Sequence, residues 1–232
     1  MATCLVNLCP EDSTFMWSMF KEELAKLIAE RRGVGYLSSL RKIESNPETL
    51  DEFRKFMSYG ICAIRLDIGK EVRIRTSQFF NIPGQMTPPE VISSVTWLLE
   101  GRRYHNYDVN LEARTVHRPQ LPFRSNLMAM ILRGYFVEGN PKQDQRLVAK
   151  LNADKRIPLP LIAMIAVLIG HVIKEWAAGY KTEIPFAAGV LSSHYTAVMG
   201  TLTEMETDSP KYTKRLQEYL YREMIAHCNV FA

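Results

Sequence analysis

No two cysteines in this sequence are close enough to form a site. Cys4, Cys9, Cys62 and Cys228 include no C-x-x-C spacing, and the shortest interval, Cys4 to Cys9, has no histidine nearby. This argues against a structural zinc motif and a disulfide framework, and free thiols in a reducing compartment, the cytosol, are expected. Histidine is sparse as well. The five, at 105, 117, 171, 194 and 227, fall in no H-E-x-x-H, H-x-H or Cys/His arrangement, so no metal is expected. The serine-nucleophile elbow G-x-S-x-G, the phosphate loop G-x-x-x-x-G-K-[ST] and the dinucleotide fingerprint are all missing, so no cofactor and no enzymatic activity are expected. Glu138, Asp144 and Asp154 would be the material for a two-metal nuclease cluster, but their basic neighbours make surface ion pairs the better reading.

Long apolar runs are also lacking. Ile157 to Ile173 is nearly all apolar, yet its uninterrupted part, Leu161 to Ile169, is about half the roughly 20 residues needed to span a bilayer. A buried central helix is expected there, with His171 as a hydrogen-bonded core histidine. Met1 to Pro10 has no basic n-region and does not read as a signal peptide.

What the chain does have is positive charge in one place. Its 232 residues are 47% hydrophobic and 23% charged, ordinary for a globular protein, with net charge +4. Residues 65–156 hold 15 Lys and Arg against 9 Asp and Glu, whereas each flank has one more acid than base. Eleven of the 15 are arginines, and Phe79, Phe80, Trp97, Tyr104, Tyr107, Phe123, Tyr135 and Phe136 are interleaved with them. Guanidinium groups hold phosphates bidentately and aromatic faces stack unpaired bases, so the combination suits single-stranded nucleic acid. Arginine-rich surfaces also occur on proteins that bind nothing anionic.

Periodicity predicts a mainly helical protein. Apolar positions from Phe15 to Ile28 mark a first helix ending before Gly33, Leu37 to Ile43 a short second one, and Asn46-Pro47-Glu48 the start of a third that runs to Gly60. Ile61 to Leu66 and Glu71 to Thr76 read as the strands of a β-hairpin around Asp67-Ile68-Gly69-Lys70, with Arg73 and Arg75 projecting together from one face. That face suits phosphate binding or a strand edge blunted with charge. Pro89-Glu90 opens a helix ending at Gly101, and Val109 to Phe123 is irregular. Further helices are expected at Ser125 to Phe136, Lys142 to Asn152, Pro185 to Met205 and from Ser209-Pro210 onward. Lys142, Arg146 and Lys150 would form one basic stripe, and the apolar stripe of the last helix would return to the core or dock on another copy.

The segment Ser77-Gln-Phe-Phe-Asn-Ile-Pro83, the next helix with Trp97, the proline-containing run Ile157 to Leu168, and Val190-Leu191 followed by Tyr195 resemble the nucleoproteins of orthobunyavirus-like (peribunyavirus) segmented negative-strand RNA viruses. The resemblance implies a two-lobed helical protein with one small β-hairpin and flexible terminal arms: an arm at 1–14, lobes at 15–115 and 116–208, and a terminal helix or arm at 209–232. It also implies sequence-independent encapsidation of single-stranded RNA in a groove between the lobes, homo-oligomerisation through the arms, contact with the viral polymerase, and a place in the host cytoplasm and the virion. Phosphate contacts would come from Lys70, Arg73 and Arg75 in the hairpin, from Arg102 and Arg103 after the helix, and from Arg124, Arg133, Arg146, Lys150, Lys155 and Arg156 in the second lobe. The family pattern adds Arg41 and Lys42. Tyr104, Tyr107, Phe123, Tyr135 and Trp176 would stack extruded bases.

Two other readings stay open. A viral matrix or coat protein would also be helical, basic and self-associating, with weak RNA affinity. An enzyme acting on RNA would draw on Glu138, Asp144 or His117.

Overall fold

The most apolar stretch of the sequence decides where the core sits. In the computed structural model, which describes residues 36–138 and 145–226, Leu161 to Ile173 are buried without exception. A helix buried on every face must be surrounded by others. The helices are α1 (Tyr36–Ser45), α2 (Pro47–Phe80), α3 (Pro88–Leu99), α4 (Asn126–Phe136), α5 (Gln145–Asp154), α6 (Leu159–Lys174), α7 (Ala188–Asp208) and α8 (Pro210–Ile225), with a 3-10 segment, Glu100–His105, after α3. α2, α3, α4, α7 and the 3-10 segment pack on α6, while α8 closes over α4 and α7. Each Leu, Ile or Val buried this way contributes roughly 1.5–3 kcal/mol over its exposed state.

Local chemistry sets the helix ends. Asn46 caps α2, its side chain accepting from the amides of Glu48 at 3.0 Å and Thr49 at 3.2 Å. Asn81 ends α2 in the left-handed region, at φ 50°. Thr87 and Glu90 form a capping box at the start of α3, and the hydrogen bonds from Thr87 hold the Glu90 carboxyl below its usual range. Among the described residues no single helix is long and apolar enough to cross a membrane. α5 and α6 would reach that length together, but they meet at 118°.

The hairpin expected at residues 61–76 is not there, because that stretch is part of α2. Ile68, Val72, Thr76 and Phe80 are all buried at a spacing of four, a helical stripe that turns inward against α4 and α6. Arg73 and Arg75, two residues apart on a helix, diverge instead of sharing a face. The sheet lies later, where β1 (Tyr107–Asn110) pairs antiparallel with β2 (Thr115–Arg118) in a stretch expected to be irregular. Asn110 Oδ1 accepts the amide of Ala113 at 2.8 Å to close the turn, and Arg114, at φ 53°, donates to Ser93 O at 3.1 Å and Ser94 Oγ at 3.0 Å on α3. The boundary at 115/116 falls at the start of β2, and core residues from both sides belong to one cluster.

Gly69 shows why a glycine is kept inside α2. A Cβ there would overlap the Phe186 ring, which is 4% exposed, lies 4.1 Å beneath the Arg73 guanidinium and is tilted on His171 at 5.2 Å. Gly69→Ala is therefore expected to destabilise by about 1–3 kcal/mol, whereas Gly200→Ala, in open space on α7, should stabilise by about 0.5–1 kcal/mol. Urea midpoints of the two variants measure this, and equal shifts would show that the ring yields freely.

The expected arm at 1–14, the first helix, the turn Gly139-Asn140-Pro141, Lys142, Asp144 and the end of the tail from 227 lie outside the described residues. Arg146 lies on α5, and its side chain is outside them too.

Candidate nucleic-acid interface

Cross-strand pairing places Arg118, at the end of β2, opposite Tyr107, at the start of β1, with the guanidinium 5.4 Å from the ring centroid. The loop leading to α4 then divides its side chains. Phe123, in the left-handed region at φ 60°, is 1% exposed and stacks on His105 at 4.2 Å, while the Arg124 guanidinium lies 4.1 Å from the Tyr219 centroid and 5.6 Å from that of Tyr107. Tyr212, Arg215, Tyr219 and Arg222 recur at helical spacing on α8, and Arg222 lies 5.7 Å from Tyr219. Arg118, Tyr107, Arg124, Tyr219 and Arg222 thus alternate as a guanidinium–phenol ladder drawn from three separate stretches of chain. Each contact is within cation–π range.

Hydrogen bonds hold the ladder in place. Tyr212 donates to Pro122 O at 2.7 Å, tying the loop to α8, and Tyr219 donates to Asn126 Oδ1 at 3.0 Å. A cavity of about 310 Å³ opens beside them over Leu121 and Leu216, lined by Arg124, Arg215 and Arg222 against Glu218 alone. Burial pushes the Tyr212 phenol up to about 12 and raises that of Tyr219, so both stay neutral hydroxyls at ordinary pH. Glu218 is engaged by Arg156 at 3.5 Å and Lys214 at 3.9 Å. Arg118, Arg124 and Arg215 have no carboxylate partner among the described residues, and Arg124 Nε is buried without a hydrogen bond. Through Glu218 and Arg222 the cavity adjoins a shallower one bordered by Lys155 and Arg156. The surface can therefore offer several guanidinium groups to one extended anion beside the half-buried Tyr107 and Tyr212, while Tyr219, 8% exposed, packs behind them.

A family model described as a domain of unknown function, DUF6532, matches residues 2–205. The chain belongs to the DUF6532 family. No curated protein and no solved structure matches it. Within the DUF6532 match lie Tyr107, Arg118 and Arg124, while α8 follows it.

Of the RNA contacts expected in this DUF6532 member, Tyr107, Arg124, Lys155 and Arg156 fall on or beside the ladder. Several others are occupied internally, by partners both near and far in sequence. Arg73 Nη2 pairs with the buried Glu175 at 2.6 Å and donates to Ile184 O at 2.8 Å. Arg75 is clamped between Glu71 at 2.6 Å and Glu138 at 2.5 Å, contacts that raise its pKa further. Arg103 donates to Trp97 O and to Glu100, and Arg133 donates to Glu223 O. Lys70 pairs with Asp67 and Lys150 with Asp154 in exposed contacts, and Arg41 and Lys42 are exposed on α1.

The expected stacking groups are corrected in the same way. Tyr104, Phe123 and Tyr135 are at most 8% exposed and present no open face, and Trp176 is partly buried with its Nε1 enclosed. Arg102 and Tyr104 line a different cavity. Of the suspected acids, Glu138 and Asp154 are held by Arg75 and Lys150, and no group of three His, Cys, Asp or Glu among the described residues is placed to hold a metal ion. Arg118, Tyr212, Arg215, Tyr219 and Arg222 were not expected as site residues. The signal for the last four was the i, i+3, i+7, i+10 alternation of tyrosine and arginine in the last helix, whose two tyrosines also belong to its apolar stripe.

Proposed function

We propose that this protein binds single-stranded RNA without reading its sequence, in the coating manner of the nucleocapsid role implied by the resemblance, and that its contact surface is the ladder face of α8 and the hairpin. The observation that carries this is the alternation of Arg118, Tyr107, Arg124, Tyr219 and Arg222 beside Arg215, with Arg118, Arg124 and Arg215 free of carboxylates among the described residues. Arg73, Arg75 and Arg103 are held by acids, whereas Arg118, Arg124 and Arg215 have no carboxylate partner among the described residues. A cluster of such guanidinium groups beside the half-buried rings of Tyr107 and Tyr212 suits phosphates and an unpaired base.

The test is fluorescence anisotropy of a labelled oligouridylate against the full chain over a range of salt. The substitutions Arg118→Gln, Arg124→Gln and Arg215→Gln together should lower the slope of log affinity against log salt by about 2, at about 0.7 per phosphate contact on a single strand. An oligoadenylate of the same length should give the same slope. No binding by the parent chain, or an unchanged slope in the triple variant, overturns the proposal.

A further inference from the structure

A second cavity, of about 300 Å³, lies between α6, α7 and the 3-10 segment, and it shares no lining residue with the ladder face. Its residues all fall within the family match. The walls are apolar, from Leu99, Val167, Leu191 and Val198, yet two cations enter it, Arg102 and Lys174, and no aspartate or glutamate lines it. A cavity of this size is at the small end for ligand pockets, and apolar walls with a few convergent polar groups are their usual composition.

Each polar group is placed by a specific feature of the chain. After α3 the backbone takes two consecutive left-handed residues, Gly101 at φ 60° and Arg102 at φ 52°, and this turn sets Arg102 at the cavity. That conformation suits a glycine at 101 and is disfavoured for an arginine, a local rule broken where function is a reason to break it. Arg102 has no hydrogen bond or ion pair among the described residues. Lys174 donates to the Nε2 of His194 at 3.0 Å instead of to an acid. Burial and the charges of Lys174 and Arg102 lower the His194 pKa, so its imidazole accepts that bond as a neutral ring. Opposite, Tyr104 is 5% exposed and has no hydrogen bond among the described residues. Gly170 makes room for its hydroxyl, because a Cβ there would stand 2.5 Å from the phenolic oxygen. His171 completes the wall and is already committed to Ile184 O at 3.0 Å.

Two positive groups without counter-charges among the described residues, a buried hydroxyl donor and a shaped apolar wall have one ligand chemistry in common. We propose that this cavity binds a small organic oxyanion, a carboxylate or phosphate monoester with a compact apolar body. Its head would be held by Arg102, Lys174 and the Tyr104 hydroxyl, and its body would lie against Val167, Leu191 and Val198. A cavity of about 300 Å³ is too small to seat a long polyanion, and its lining is separate from that of the ladder, so the site is independent of RNA binding there.

Isothermal titration of the full chain with benzoate, phenyl phosphate, inorganic phosphate and benzyl alcohol tests this. Saturable one-to-one binding of benzoate or phenyl phosphate is expected, and whichever is tighter identifies the head. Benzyl alcohol should bind at least about tenfold more weakly, since it lacks the charge-assisted hydrogen bonds. Arg102→Gln with Lys174→Gln should weaken the anion by about tenfold or more, with an unchanged circular dichroism spectrum. Val190→Trp, at an exposed position on the rim, should block entry without touching the head group. Binding to neither probe, equal binding of benzyl alcohol, or unchanged affinity in both variants overturns the proposal. So does inorganic phosphate binding as tightly as phenyl phosphate, which would remove the role of the wall.

Discussion

Glu175→Ala is expected to lower the unfolding free energy by about 3–5 kcal/mol, the loss that follows when one partner of a buried ion pair is removed and the other stays behind. The Glu175 side chain is 0% exposed, and its Oε1 accepts from Arg73 Nη2 at 2.6 Å, Arg73 Nε at 3.1 Å and the amide of Ile184 at 3.1 Å. Its carbonyl accepts the amide of Thr182 at 2.7 Å. One residue therefore fastens the segment after α6 through both main chain and side chain, and Arg73 adds its own bond to Ile184 O. Deleting the carboxylate leaves a guanidinium 23% exposed and facing Phe186, where solvent reaches it poorly. Removing both charges, as Glu175→Leu with Arg73→Met, should cost less than the single change, because no unpaired ion remains. Urea unfolding of Glu175→Leu, Arg73→Met and the double decides it. A double variant less stable than Glu175→Leu would mean that the pair stabilises beyond its own desolvation.

That ion pair also shows where the sequence stops being legible. Arg73 and Arg75 were read as exposed on a strand because Glu71 to Thr76 alternates for six residues, a window too short to separate a strand from a helix carrying β-branched residues. The stripe Ile68, Val72, Thr76 and Phe80 was present in the same residues, but its meaning depends on α4 and α6 being available to cover it. Gly69 read as a turn residue for the same reason. Its partner, the Phe186 ring, is more than a hundred residues away, and nothing local announces it.

Elements whose signals are local came through. The helices beginning at Pro47, Pro88 and Pro210 were marked by proline at the first turn, and α6 by apolar residues on all sides. The true hairpin was missed because its strands are only four residues long and each carries charge or amide side chains, so the alternation is weak. The candidate interface was half legible. Arg124 and Tyr107 were picked out by composition, but the ladder exists only because strand pairing, a buried Phe123 and a tyrosine on α8 converge, and spacing along the chain carries none of that.

The His105 imidazole should make stability depend on pH by an amount that one substitution can isolate. His105 is 6% exposed, stacks on Phe123 at an interplanar angle of 12°, meets Tyr104 edge-on, and has an Nδ1 without a partner. Burial, reinforced by the nearby Arg102 charge, lowers its pKa from 6.5 to about 4. A depressed pKa means that the folded state refuses a proton the unfolded chain accepts. The contribution is therefore complete above about pH 6.5, is lost as pH falls toward 4, and changes no further below that. At about 1.4 kcal/mol per unit, the loss across that window is on the order of 3 kcal/mol, a large share of a typical domain's stability. His105→Phe keeps the stack on Phe123 and removes the titration. Urea unfolding between about pH 6.5 and 4 should give a steep slope for the parent chain and a shallower one for the variant. The slope left in the variant belongs to the carboxylates and to His171 and His194, which are shifted in the same direction. If the two slopes coincide, the imidazole reaches solvent in the folded state and the packing around Phe123 is looser than its 1% exposure indicates.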